Sequence, residues 1–89
     1  MLFRSVIELN RAVAVSMAQG PDVALPLVEA LAADLADYYL YAATVADLYA
    51  RLGRTDEAVA ALATAIDQAP TGAERRLLRE RRAALAALV

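Results

Sequence analysis

The sequence predicts an all-α fold: two antiparallel helix pairs stacked with a right-handed superhelical twist and closed by a C-terminal capping helix. Three observations predict it. Apolar residues recur at helical spacing along the whole chain, and no segment shows the period-two alternation of a strand. Gly20-Pro21, Gly53 and Pro70 punctuate the chain where helices must end or begin. Alanine, the strongest helix former, supplies much of the 61% hydrophobic content. Alanine also gives little area per residue, so the helices should approach closely.

The first helix should run from about Leu2 to Ala18. Its apolar residues (Val6, Ile7, Leu9, Val13, Val15, Met17) cover more than one face, and such a helix needs partners on two sides. The second should run from Asp22 to Ala33 after the Gly20-Pro21 entry, with Pro26 removing one backbone bond and kinking the first turn. The third should span Tyr38 to Leu52 with Asp37 as N-cap, and the fourth Asp56 to Ala69 with Thr55 as N-cap. Thr71 and Glu74 have capping-box spacing, which opens a fifth helix from Gly72 to Leu88. The expected core is Leu9, Val13, Leu27, Leu31, Val45, Leu48, Tyr49, Leu52, Val59, Leu62, Ile66, Leu78 and Leu85.

A weak repeat underlies this order. Gly20 and Gly53 lie 33 residues apart, and Ala24 and Ala58 follow them at nearly equal offsets. From Tyr38 to Pro70 the chain carries Tyr49, Arg51-Leu52-Gly53-Arg54, Glu57-Ala58, Ala65 and Pro70. That is the spacing of one tetratricopeptide (TPR) repeat, a helix pair of about 34 residues. Gly53 can adopt the left-handed backbone that ends a helix. Ala58 and Ala65 leave room for a neighbouring helix. We therefore expect one TPR-like domain over residues 1–89: repeat one at about 4–34, repeat two at about 38–70 and the capping helix at about 71–89. Repeat arrays usually need three or more units, so further helices are expected before residue 1.

Leu9-Asn10-Arg11-Ala12-Val13-Ala14-Val15, Gly20-Pro21, Tyr38-Tyr39, Arg51-Leu52-Gly53-Arg54, Glu57-Ala58 and Ala73-Glu74-Arg75-Arg76-Leu77-Leu78 occur in that order. Together they resemble the C-terminal TPR-like extension of a group of bacterial extracytoplasmic-function (ECF) RNA polymerase sigma factors. The resemblance covers nearly the whole chain, and the L-N-R-A-V-A-V run followed by G-P is its most specific part. Such tails often carry an arginine where Val45 stands and an aromatic near Ala61 or Leu62. The resemblance implies a cytoplasmic, non-catalytic domain that regulates or supports transcription initiation. Its partners would be RNA polymerase or the sigma factor's own promoter-binding regions, which would precede Met1. The fragment itself holds no helix-turn-helix candidate, so direct DNA binding is not expected.

Composition removes whole classes of function. There is no Cys and no His, so disulfides, the usual zinc sites and the usual nucleophile–base pairs are unavailable. We expect no catalytic residue, no metal and no cofactor. Asp34, Asp37, Asp47, Asp56 and Glu57 fall at helix ends or turns, where helix dipoles account for several of them without chemistry. The longest uncharged apolar run, Ala12 to Ala18, is far short of the roughly 20 residues a membrane span needs. Residues 1–18 lack the layout of a signal peptide. Net charge is −2, which disfavours general nucleic-acid binding.

The candidate interaction residues are Asn10, Arg11, Tyr38, Asp47, Arg51, Arg75 and Arg79. Asn10, Asp47 and Arg51 would be polar contacts in a groove for a peptide or helix. The competing reading has Asn10 and Arg11 locking the repeats together through a neighbouring loop. Tyr38 is either an exposed anchor or a corner between repeats. Arg75, Arg76, Arg79, Arg81 and Arg82 make the fifth helix basic in an otherwise acidic chain. That helix is either a phosphate or nucleic-acid contact or a solvated face whose arginine stems shield apolar surface. A stand-alone TPR-like adaptor for an unrelated peptide is the alternative function. The second apolar face of the first helix, with Val6, Val13 and Met17, is expected to pair with a second copy.

Overall fold

The computed structural model describes residues 2–88. The expected domain limits, Met1 and Val89, lie outside them. Five helices follow one another: α1 (Leu2–Gln19), α2 (Pro21–Glu29), α3 (Tyr39–Arg51), α4 (Thr55–Gln68) and α5 (Gly72–Ala86). Among the described residues there is no strand. Each helix packs mainly against the next in the chain, and α1 also touches α3. The molecule measures 33 × 28 × 19 Å. Its thinnest dimension is that of two helix layers, each about 10 Å thick.

Two apolar clusters share α3. Leu9, Ala12, Ala24, Leu25, Val28 and Leu35 meet Val45 and Leu48 on one side of it. Ala42, Ala43 and Ala46 meet Leu62, Ala65, Ile66, Ala69 and Leu78 on the other. Alanine dominates the second cluster, which lets α3 and α4 approach closely. Ala24 and Ala58 are both fully buried. Most of the expected core is buried or packed against it, but Val13 and Leu27 are 38% and 48% exposed, and Val59 is half-buried at a surface lined by Arg79 and Arg82. The inward stripe of α1 is instead Ser5, Leu9, Ala12 and Ser16, and α2 turns Ala24, Leu25 and Val28 inward.

The helix ends show local causes. Gly53 has φ +78°, and the bonds Arg54 N–H to Tyr49 O (2.8 Å) and Gly53 N–H to Ala50 O (3.1 Å) form a complete Schellman motif. Gly20, at φ +102°, ends α1 and leads directly into Pro21 at the first position of α2. Expected caps differ at two places. The N-cap of α3 is Tyr38 rather than Asp37, and that of α4 is Arg54 rather than Thr55, neither with a side-chain cap bond. Thr55 lies inside α4 because the Schellman turn already reverses the chain by Arg54. Arg54 instead clasps Glu57 with two bonds, Nε to Oε1 at 2.6 Å and Nη2 to Oε2 at 2.7 Å.

Thr71 caps α5 as its spacing predicts, accepting from Glu74 N at 3.2 Å and donating to Glu74 Oε1 at 2.7 Å. Pro26 sits inside α2, which stops at Glu29 and not at Ala33. Residues 30–37 form successive turns, beginning with Leu31 N–H to Val28 O and Ala32 N–H to Glu29 O. Distant contacts hold that segment: Ser5 Oγ donates to Asp34 at 2.8 Å, and Gln68 Nε2 donates to Ala36 O at 2.7 Å. Leu35 between them is fully buried.

Candidate interaction surface

α3 presents a stripe at successive helical turns, Leu40, Thr44, Asp47 and Arg51, of which Thr44 is half-buried and the others are exposed. Leu40 is 40% exposed. Arg51 is held from two sides. Its Nη1 donates to Ser16 Oγ at 2.6 Å, across to α1, and lies 3.7 Å from Asp47 Oδ2 on its own helix. Ser16 is only 2% exposed, so its hydroxyl depends on this bond rather than on water. The guanidinium therefore stands in a fixed place beside α1. Nothing in the sequence marked Ser16 except its being a hydroxyl among apolar neighbours.

The other candidate residues scatter. Asn10 is exposed on α1, roughly 120° around the helix from Ser16, and so does not share a groove with Asp47 and Arg51. Arg11 pairs with Glu8 of its own helix at 3.1 Å, the arginine largely in solvent and the carboxylate half-buried. The expected lock between Asn10 or Arg11 and a neighbouring loop is thus replaced by Arg51–Ser16. Tyr38 packs against the first cluster and meets Tyr39 edge to face, with ring centroids 6.1 Å apart. It forms the corner ahead of α3.

Arg75 is a structural residue of the α4–α5 junction. It donates to Ala69 O at 3.1 Å and Ile66 O at 3.4 Å, satisfying carbonyls at the end of α4. Arg79 is exposed and lines a shallow surface with Arg82 and Val59. The basic side of α5 is therefore Arg79 and its neighbours, without Arg75.

Ionisable groups are tuned at two junctions. Tyr39 donates its phenol to Glu74, joining α3 to α5. That bond raises the Tyr39 pKa and, with Thr71 adding to it, lowers that of Glu74. At the α3–α4 turn the Arg54–Glu57 bonds raise the arginine and lower the carboxylate. The Arg54 guanidinium also lies 4.7 Å from the centroid of the Tyr49 ring. Burial is the main cause that raises Tyr41 and Tyr49. Each of these shifts accompanies a contact that joins helices or closes a turn.

A shallow groove of about 360 Å³ runs between α1 and α2, with Leu27, Val15 and Leu31 in its wall and Glu8 and Arg11 at its rim. No group of three His, Cys, Asp or Glu among the described residues is placed to hold a metal ion. No helix among them is long and apolar enough to cross a membrane.

An uncharacterized protein of Rhizobium meliloti (strain 1021) is 42% identical over 74 residues, covering 83% of this chain. The chain spans 18% of that protein's length. No protein-family model and no solved structure matches the chain.

Proposed function

We propose that this chain is a non-catalytic protein-interaction and regulatory domain of an ECF-type sigma factor, built as two TPR-like helix pairs with a capping helix. It acts by contact with RNA polymerase or with the sigma factor's own promoter-binding regions. The observation that carries the interaction reading is the α3 stripe of Leu40, Thr44, Asp47 and Arg51. Arg51 is fixed by Ser16, so a partner meets an ordered charge with little ordering cost. The stripe has the spacing that receives a helix or an extended peptide.

The sigma-factor reading draws support from the ordered motifs around Leu9-Asn10-Arg11, Gly20-Pro21 and Arg51-Leu52-Gly53-Arg54. A relative in which the matched stretch is 18% of a longer chain is in keeping with it. The experiment has two parts. The reading frame upstream of Met1 is sequenced, and the labelled chain is titrated with core RNA polymerase and with the upstream-encoded promoter-binding regions. Binding weakened by Asp47→Arg and Arg51→Glu supports the proposal. A frame without promoter-binding regions, with no binding to polymerase, replaces it with a stand-alone adaptor. Tight promoter binding by the chain alone, falling steeply with salt, would overturn both.

A further inference from the structure

Four apolar side chains of α1 point outward although Leu9 turns inward. Phe3 is 76% exposed, Ile7 45%, Val13 38% and Met17 80%, while the same helix turns Ser5 and Ser16 inward at 4% and 2%. Phe3, Ile7, Asn10, Ala14 and Met17 follow one another at alternating spacings of four and three, one seam along the helix. Asn10 is the polar residue of that seam and stands at its midpoint.

We propose that this seam binds the same seam of a second copy of the chain, antiparallel, with the two-fold axis passing beside Asn10. The proposal uses the outer face of α1, not the α3 stripe, and does not rest on the sigma-factor reading. The seam is self-complementary about Asn10. In an antiparallel pair Phe3 comes level with the partner's Met17, and thioether sulfur against an aromatic edge is a favourable contact. Ile7 comes level with the partner's Val13 and Ala14. Asn10 meets itself, and a carboxamide both donates and accepts, so two copies satisfy each other. A shifted register would bury the amide against an apolar side chain and leave it unpaired, which fixes the register.

The two flanks constrain the direction. Arg4, Glu8 and Arg11 lie along one flank of the seam, and Val6 and Val13 along the other. An antiparallel two-fold sets like flank beside like flank, so the Glu8–Arg11 pairs of the two copies meet near the axis and each Arg11, beside its counterpart, keeps its own Glu8 as counter-charge. A parallel pair would lay the arginines over Val6 and Val13. The 3.1 Å contact between Glu8 and Arg11 within one copy shows that the two side chains reach into the same space.

The chain has no native Cys, so single cysteines report position cleanly. The test is sedimentation equilibrium of the 89-residue chain up to about 100 μM, where interfaces of modest size are still populated. Oxidative cross-linking of Asn10→Cys, Ile7→Cys and Val13→Cys accompanies it, with far-UV circular dichroism to verify the helices. The expected result is a dimer, with Asn10→Cys linking to itself and Ile7→Cys linking to Val13→Cys in a mixture. Ile7→Asp should weaken the dimer about 100-fold, because the two-fold removes one buried apolar contact from each copy at about tenfold apiece. A monomer over the whole range would overturn the pairing. Efficient self-linking of Ile7→Cys would overturn the antiparallel register.

Discussion

The three glycines invite one substitution with three different outcomes. Gly72 is the first residue of α5, its φ is not positive, and nothing lies within 4 Å of an added Cβ. Gly72→Ala should stabilise the chain by about 0.5–1 kcal/mol through lost unfolded-state freedom. Gly53 also has open space around an added Cβ, but its φ is +78°. A left-handed L-residue costs about 1–2 kcal/mol, and the unfolded-state gain returns about 0.4–1, so Gly53→Ala should destabilise by about 1 kcal/mol. Gly20 combines φ +102° with ψ 162°, a region that is nearly glycine-only, and an added Cβ would stand 2.9 Å from Asp22 Oδ1. Asp22 is exposed and its side chain can turn away, so backbone strain dominates and Gly20→Ala should lose about 2 kcal/mol. Urea unfolding followed by far-UV circular dichroism reads all three, since the chain has no Trp. At about 4–8 °C per kcal/mol the thermal midpoints should separate as well. If Gly53→Ala matches Gly72→Ala in stability, the left-handed turn is not what ends α3, and the reasoning fails.

Other expectations follow from single contacts. Arg51→Ala should cost about 1–3 kcal/mol by leaving the buried Ser16 hydroxyl unpaired, and Ser16→Ala in the same chain should recover part of the loss in urea unfolding. Ala58→Leu or Ala65→Leu should each lower stability by about 1–3 kcal/mol in the same assay, because both sites are fully buried and overpacking would force α3 and α4 apart. With no Lys, His or Cys in the chain, tyrosines dominate titration above about pH 9. Tyr39, Tyr41 and Tyr49 are raised above 10.0 on folding, so their contribution is complete below pH 10 and should vanish as pH rises through the folded values. Glu74 is lowered below 4.5, so its contribution is present above that pH and lost as pH falls through the folded value. Tyr39→Phe should flatten both limbs of a pH–stability curve. Unchanged limbs would refute the Tyr39–Glu74 assignment.

The helical class and the α3–α4 pair were legible because their signals are local. Gly53, Thr71 and the buried Ala58 and Ala65 each act through backbone or size within a few residues. The inward face of α1 was not legible, since that helix is apolar nearly all round and periodicity gives no preferred side. Two serines and an alanine share its buried stripe with Leu9, which made Val13 look like the better core residue. Residues 30–37 are rich in Ala and Leu, so propensity extends α2 through them. Distant anchors at Asp34, Leu35 and Ala36 override it. The candidate interaction residues were named singly and not grouped. Arg51 and Ser16 are joined by tertiary packing that no spacing encodes, and Arg75 serves carbonyls that only the fold brings near.

The neighbour-to-neighbour order of the helices has a consequence for how this chain is made. Because nearly every helix finds its main partner immediately before or after it, little loop entropy stands between the unfolded and folded chain. Such topologies fold in microseconds to milliseconds, while a ribosome adds about 5–20 residues each second. Each pair of helices can therefore close as soon as it clears the exit tunnel, with α5 arriving last to seal the alanine-rich side of α3 and α4.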